Sequence, residues 1–201
     1  MPSKAEMRCV WLKQAVKALD RLPPGQAAKV RGALPPGLLD QLEATSATAW
    51  VPAEWNVAVV TAVYQQLPKP QADELWLQKG LAILKQPLLE YSVGFFTAVM
   101  RVTPGDALAW AAKNTLGMGL LFRNCGRLEL ESVAAASAVL AHRELPEVLF
   151  SSEPWCESSR STFAAILSLG RGELTSYGWD KALEPSGNVL RYRIGWRAQG
   201  S

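Results

Sequence analysis

The hydrophobic period of this chain changes once, near Gly119, and that change limits the folds open to it. Before it, apolar residues recur at the helical spacing of about 3.6; after it, they alternate with a period of about 2. In VPAEWNVAVVTAVYQQL (51–67), Trp55, Ala58, Val59, Ala62 and Val63 share one helical face. Pro52 and Glu54 suit its first turn, because proline loses no needed donor there and a carboxylate meets the positive end of the helix dipole. KPQADELWLQKGLAILKQ (69–86) continues the helical spacing. PLLEYSVGFFTAVMRV (87–102) is apolar almost all round, which predicts a central, buried helix. TPGDALAWAAKNTLGMG (103–119) opens with a Thr cap, Pro104 in the first turn and Asp106 beside it.

The start of the chain repeats LPPG at 22–25 and 34–37, each copy ahead of a short helical pattern, and residues 10–21 also carry helical spacing. Beyond Gly119, RLELE and ASAVLAHREL (136–145) are expected strands. EPWCESSRSTFAAILSLG is an expected helix from 153, with Trp155, Phe163, Ile166 and Leu167 near one face and Gly170 as its stop. ELTSYGWDKAL is a strand, PSGN (185–188) a turn, and VLRYRIGWR a strand. In that last strand Leu190, Tyr192, Ile194 and Trp196 face inward and Arg191, Arg193 and Arg197 outward. The plan is α+β: an N-terminal helical bundle (1–118) packed on a C-terminal antiparallel sheet with a covering helix, β-β-α-β-β (119–201). No linker-like stretch divides it, so one domain over 1–201 is expected.

Composition narrows the function classes. Of 201 residues, 49% are apolar and 19% charged, which predicts a packed core rather than disorder. A net charge of +3 is too small to mark a nucleic-acid binder. The three Cys, at 9, 125 and 156, form no CxxC pair, and the N-terminus carries no apolar leader-like run, so reduced thiols and a cytoplasmic location are expected. The greasiest stretch, LAILKQPLLEYSVGFFTAVM, is interrupted by Lys85, Gln86, Pro87 and Glu90 and reads as buried helices, not a membrane span. No phosphate loop, GxGxxG, HExxH, paired-carboxylate or serine-elbow motif is present, and GRG (170–172) lacks the Lys and following helix of a phosphate loop.

The order of elements in the C-terminal half, with a P-x-C at a helix start and a final aromatic strand, resembles vinyl-4-reductase-type ligand-binding domains. These share a fold with heme–nitric-oxide-binding sensors and with subunits of vesicle-tethering transport particles. The whole chain resembles a paralogous family of about 200 residues from myxobacteria, through WVPAEWNVAVVTAVYQQL (50–67), YSVGFFTAVMRVTPGDAL (91–108), GRLELE (126–131), EPWCES (153–158) and RYRIGWR (191–197). The resemblance implies a ligand-binding or adaptor domain that dimerises through a helix face, with exposed Trp as interface anchors. Vinyl-4-reductase-type domains carry further Cys on the last hairpin, and here SYGWDKALEPSGNVLRYRI has none. Heme sensors use a His ligand and a Tyr-x-Ser-x-Arg clamp. Here Tyr192 is followed by Ile194 and Trp196 at the Ser and Arg positions, and the sole His is 142.

The expected function is therefore a non-enzymatic sensor or adaptor that binds a small apolar ligand or a protein partner as a homodimer, with no cofactor and no nucleic acid. Its pocket candidates are Tyr91, Phe95, Phe96, Met100, Trp155 and Phe163, between the buried helix and the sheet. The alternatives are a thiol redox sensor or enzyme using Cys156 at its helix start, and a heme or metal sensor. Arg191, Arg193 and Arg197 form a basic face open to a phosphate or acidic partner, or else paired across the sheet with Glu129 and Glu131.

Overall fold

Among the described residues, proline stands at or next to the start of most helices. The structure, a computed structural model, describes residues 4–86, 93–94, 102–113, 119 and 121–198. A short strand β1 (Glu6–Arg8) leads into α1 (Cys9–Ala18), which tightens into a 3-10 turn over Leu19–Arg21. The first LPPG copy runs into α2 (Pro24–Gly32) and the second precedes α3 (Leu38–Ala44); Gly37, the last residue of the second copy, adopts φ +77°, a left-handed conformation that favours glycine. Strand β2 (Trp50–Pro52) feeds α4 (Ala53–Gln66), and α5 (Lys69–Leu84) follows with Pro70 in its first turn. The expected buried helix 87–102 falls almost wholly outside the described residues, and with it Tyr91, Phe95, Phe96 and Met100.

Helix α6 (Pro104–Lys113) begins with a reciprocal cap. Asp106 N–H donates to Thr103 Oγ1 at 3.1 Å, while Asp106 Oδ2 accepts from Thr103 N at 3.0 Å and from its hydroxyl at 2.7 Å. The hydroxyl bond first, then the backbone one, hold the Asp106 carboxyl below its ordinary pKa. A two-residue strand β3 (Phe122–Arg123) then pairs with β1, which also pairs with β2. This small three-stranded sheet lies partly inside the half read as purely helical, and corrects that reading. Its strands are two or three residues long, too short to express an alternation.

The main sheet is antiparallel, in the order β4 (Arg127–Val133), β5 (Ser137–Arg143), β7 (Gly187–Ala198), β6 (Gly172–Glu184). Between β5 and β6 run a single turn, α7 (Glu147–Phe150), and the covering helix α8 (Glu153–Leu169). Ser152 caps α8 by accepting from Trp155 N–H at 3.3 Å. Along β7, Leu190, Tyr192, Ile194 and Trp196 are buried while Arg193 and Arg197 are exposed, the alternation expected of a half-buried strand. The architecture is α+β: α8 and α6 lie on the inner face of the sheet, and α4 and α5 pack on α8. One core runs through both layers, from Leu12, Val59 and Val63 to Leu167, Leu190 and Ile194.

Candidate functional site

The two layers do not close completely. A cavity of about 160 Å³ lies between them, walled among the described residues by α1, α4, α5, α6, α8 and the strands β4, β5 and β7. That is the scale of the roughly 150 Å³ apolar cavities that accept benzene or xenon. Trp155 and Phe163 on α8, two of the pocket candidates, border this cavity, which faces α5. Phe163 meets Tyr192 of β7 edge-on, with ring centroids 4.8 Å apart, so α8 and the sheet form one aromatic wall.

The opposite wall is α5, and it holds what the sequence reading missed. Trp76, Lys79, Gly80 and Ile83 present one buried stripe of this helix. Lys79 is only 5% exposed, and its ammonium lies 3.6 Å from the centroid of Trp11 and 4.8 Å from that of Trp76. Burial pushes the Lys79 pKa well below the ordinary lysine range. Trp76 Nε1 and Asn56 Oδ1, on residues 3% exposed, have no hydrogen-bond partner among the described residues. The sequence does carry a signal for Lys79. It stands three residues after Trp76 and four before Ile83, on the face that an amphipathic helix buries.

His142, on β5, also reaches the cavity wall. Its Nε2 lies 2.7 Å from the Cys125 carbonyl, which can only accept, so the proton sits on Nε2. Burial lowers its pKa to about 4, against a smaller opposing effect of that bond. Cys156 is fully buried, and burial pushes its thiol up to about 11, with Lys181 pulling weakly the other way. Despite its place in the first turn of α8, this residue is a poor source of thiolate. Among the described residues no cluster of His, Cys, Asp and Glu could hold a metal ion.

The basic face is a paired one. Arg191 meets Glu131 at 3.1 Å and also Glu184, Arg193 meets Asp180 at 2.7 Å, and Arg197 meets Glu173 at 2.8 Å. Arg143 joins Glu129, Glu131 and Glu184, so charges interleave across the outer face of the sheet. The Trp residues do not provide exposed anchors. All eight are described, and each is buried or half-buried. Among the described residues no helix is long and apolar enough to cross a membrane.

No protein-family model matches the chain, and no curated protein matches it by sequence. Solved structures do. The Fe(II) unliganded H-NOX protein from K. algicida superposes with a TM-score of 0.65 at 9% identity, covering 97% of this chain and 99% of that one. A point mutant of T. Tengcongensis H-NOX gives 0.58 at 12% identity, covering 97% and 100%. An oxygen-binding H-NOX domain related to soluble guanylate cyclases, in its oxygen complex, gives 0.55 at 12%, covering 95% of each chain. The chain thus has the heme–nitric-oxide-binding fold over nearly its full length. This likeness does not extend to the vinyl-4-reductase or myxobacterial parts of the resemblance.

Proposed function

We propose that this chain is a non-enzymatic sensor domain whose signal is a small, mainly apolar molecule held between the helical layer and the sheet. The observation that carries the reading is the cavity itself, placed where the two layers meet and walled by both. The H-NOX neighbours supply a fold in which a ligand is held.

Heme is the ligand that fold brings to mind, and the residues here do not fit it. The sole His has its Nε2–H committed to the Cys125 carbonyl from within the sheet. Ile194 and Trp196, where the resemblance would place the Ser and Arg of a propionate clamp, are buried apolar side chains 2% and 5% exposed.

The expected mechanism is a shift between helix arrangements. Gly80 of α5 faces Ala165 of α8 so closely that a Cβ on Gly80 would stand 3.0 Å from the Ala165 Cβ, and both residues border the cavity. A ligand wedged beside this contact favours whichever spacing of α5 and α8 accommodates it best. A homodimer or a protein partner that reads this spacing belongs to the same proposal. The test is native mass spectrometry of the freshly purified chain, with a visible spectrum of the same sample. Extra mass below that of a heme, released on denaturation from a colourless protein, is the expected result. A stoichiometric heme spectrum contradicts it.

A further inference from the structure

The chemistry around the cavity is specific about one end of its occupant. Lys79 borders that apolar space without a partner suited to it, and two further unpartnered polar atoms lie sealed behind the same wall. Among the described residues Lys79 makes no hydrogen bond and no ion pair; its ammonium is met by the faces of Trp11 and Trp76. Among the same residues Trp76 Nε1–H donates to nothing, and the Asn56 side-chain oxygen accepts from nothing. Each of these three residues is more than nine-tenths buried. Buried polar groups are almost always paired, and a buried cation without a counter-ion is costlier still.

What Lys79 lacks defines what would complete it. Its ammonium is a donor and a cation, so an anion with an acceptor oxygen satisfies it. A phosphate presents more charge and more acceptors than one ammonium can meet in an otherwise aromatic enclosure. We propose that the cavity takes a small, mainly apolar monocarboxylate. Its carboxylate lies against Lys79, and its apolar body lies against Trp155 and Phe163. The anion returns to Lys79 the stabilisation that burial removes, which fits the direction of its shift. The inference rests on the reading of the cavity as a ligand site, and it adds the class of ligand.

The test separates the two claims. The full chain is titrated with benzoate and, in parallel, with toluene, by calorimetry. Both fit the volume, and only benzoate carries the anion. Benzoate is expected to bind at least about tenfold tighter than toluene. Lys79→Met is expected to bring benzoate down to the level of toluene while toluene binding is retained, which also reports that the variant is folded. Benzoate no tighter than toluene, or benzoate binding unchanged by Lys79→Met, overturns the carboxylate while leaving the cavity. Binding of neither compound overturns both.

Discussion

Lys79 stands where an amphipathic helix would place a leucine, and His142 stands where a strand would place a valine. Each is a titratable group carried into the core by the side of the element it occupies. For His142 the consequence is a dependence of stability on pH. The folded chain protonates it only near pH 4, whereas the unfolded chain does so near 6.5. Between those values the unfolded state binds more protons, so stability rises with pH. The contribution is complete above pH 6.5 and is lost as pH falls through 4. Its size is about 3 kcal/mol. Gln offers an N–H that can reach the Cys125 carbonyl and does not titrate. Denaturant melts at pH 7 and pH 4 should therefore show the wild type losing about 3 kcal/mol more than His142→Gln over that range. Parallel losses would mean that the histidine is not buried neutral. At this scale the sequence was legible for side chains whose chemistry agrees with their surroundings, such as Phe163 and Trp155. It was not legible for Lys79. Its two aromatic faces come partly from Trp11, more than sixty residues away in the chain. Cys156, a reactive thiol only in the alternative reading, is buried, and a helix start activates a thiol only when solvent reaches it.

At the scale of elements, helix starts were readable because proline and capping residues act locally. Thr103, Pro104 and Asp106 complete their cap within four residues. The strand pattern of β7 was equally local, since one wet face and one dry face write themselves into alternate positions. The close of α8 was read correctly as a Gly but for the wrong cause. Gly170 has φ −94°, and it is Arg171 that turns left-handed at φ 55°. Gly170 is required because a Cβ there would overlap the backbone of Thr103 and Pro104, where α6 begins. Gly170→Ala should therefore cost roughly 1–3 kcal/mol or more, read as a lower denaturation midpoint. Gly178→Ala, on a strand with nothing within 4 Å of the added Cβ, should stay within about 0.5 kcal/mol of wild type. Equal effects at the two positions would mean that the α6–α8 junction is not closely packed. The short strands β1, β2 and β3 escaped the sequence for want of length, since their pairing is decided by partners more than forty residues apart.

For the whole molecule, the order of helices then sheet was visible in the change of period, and the H-NOX fold that results places a helical layer over an antiparallel sheet. What periodicity could not distinguish is a filled seam from an open one. The same apolar stripes line both, and only the shapes brought together by tertiary packing decide whether space remains. Here the seam stays open beside Trp76, Lys79, Trp155 and Phe163. A space of this size with so apolar a lining should admit a noble gas. The most direct measurement is a crystal structure of the chain under xenon pressure. An anomalous xenon peak is expected between α5 and α8, in contact with Phe163 and Trp155. A closed seam, with those side chains packed against α5 and no xenon between them, would contradict it.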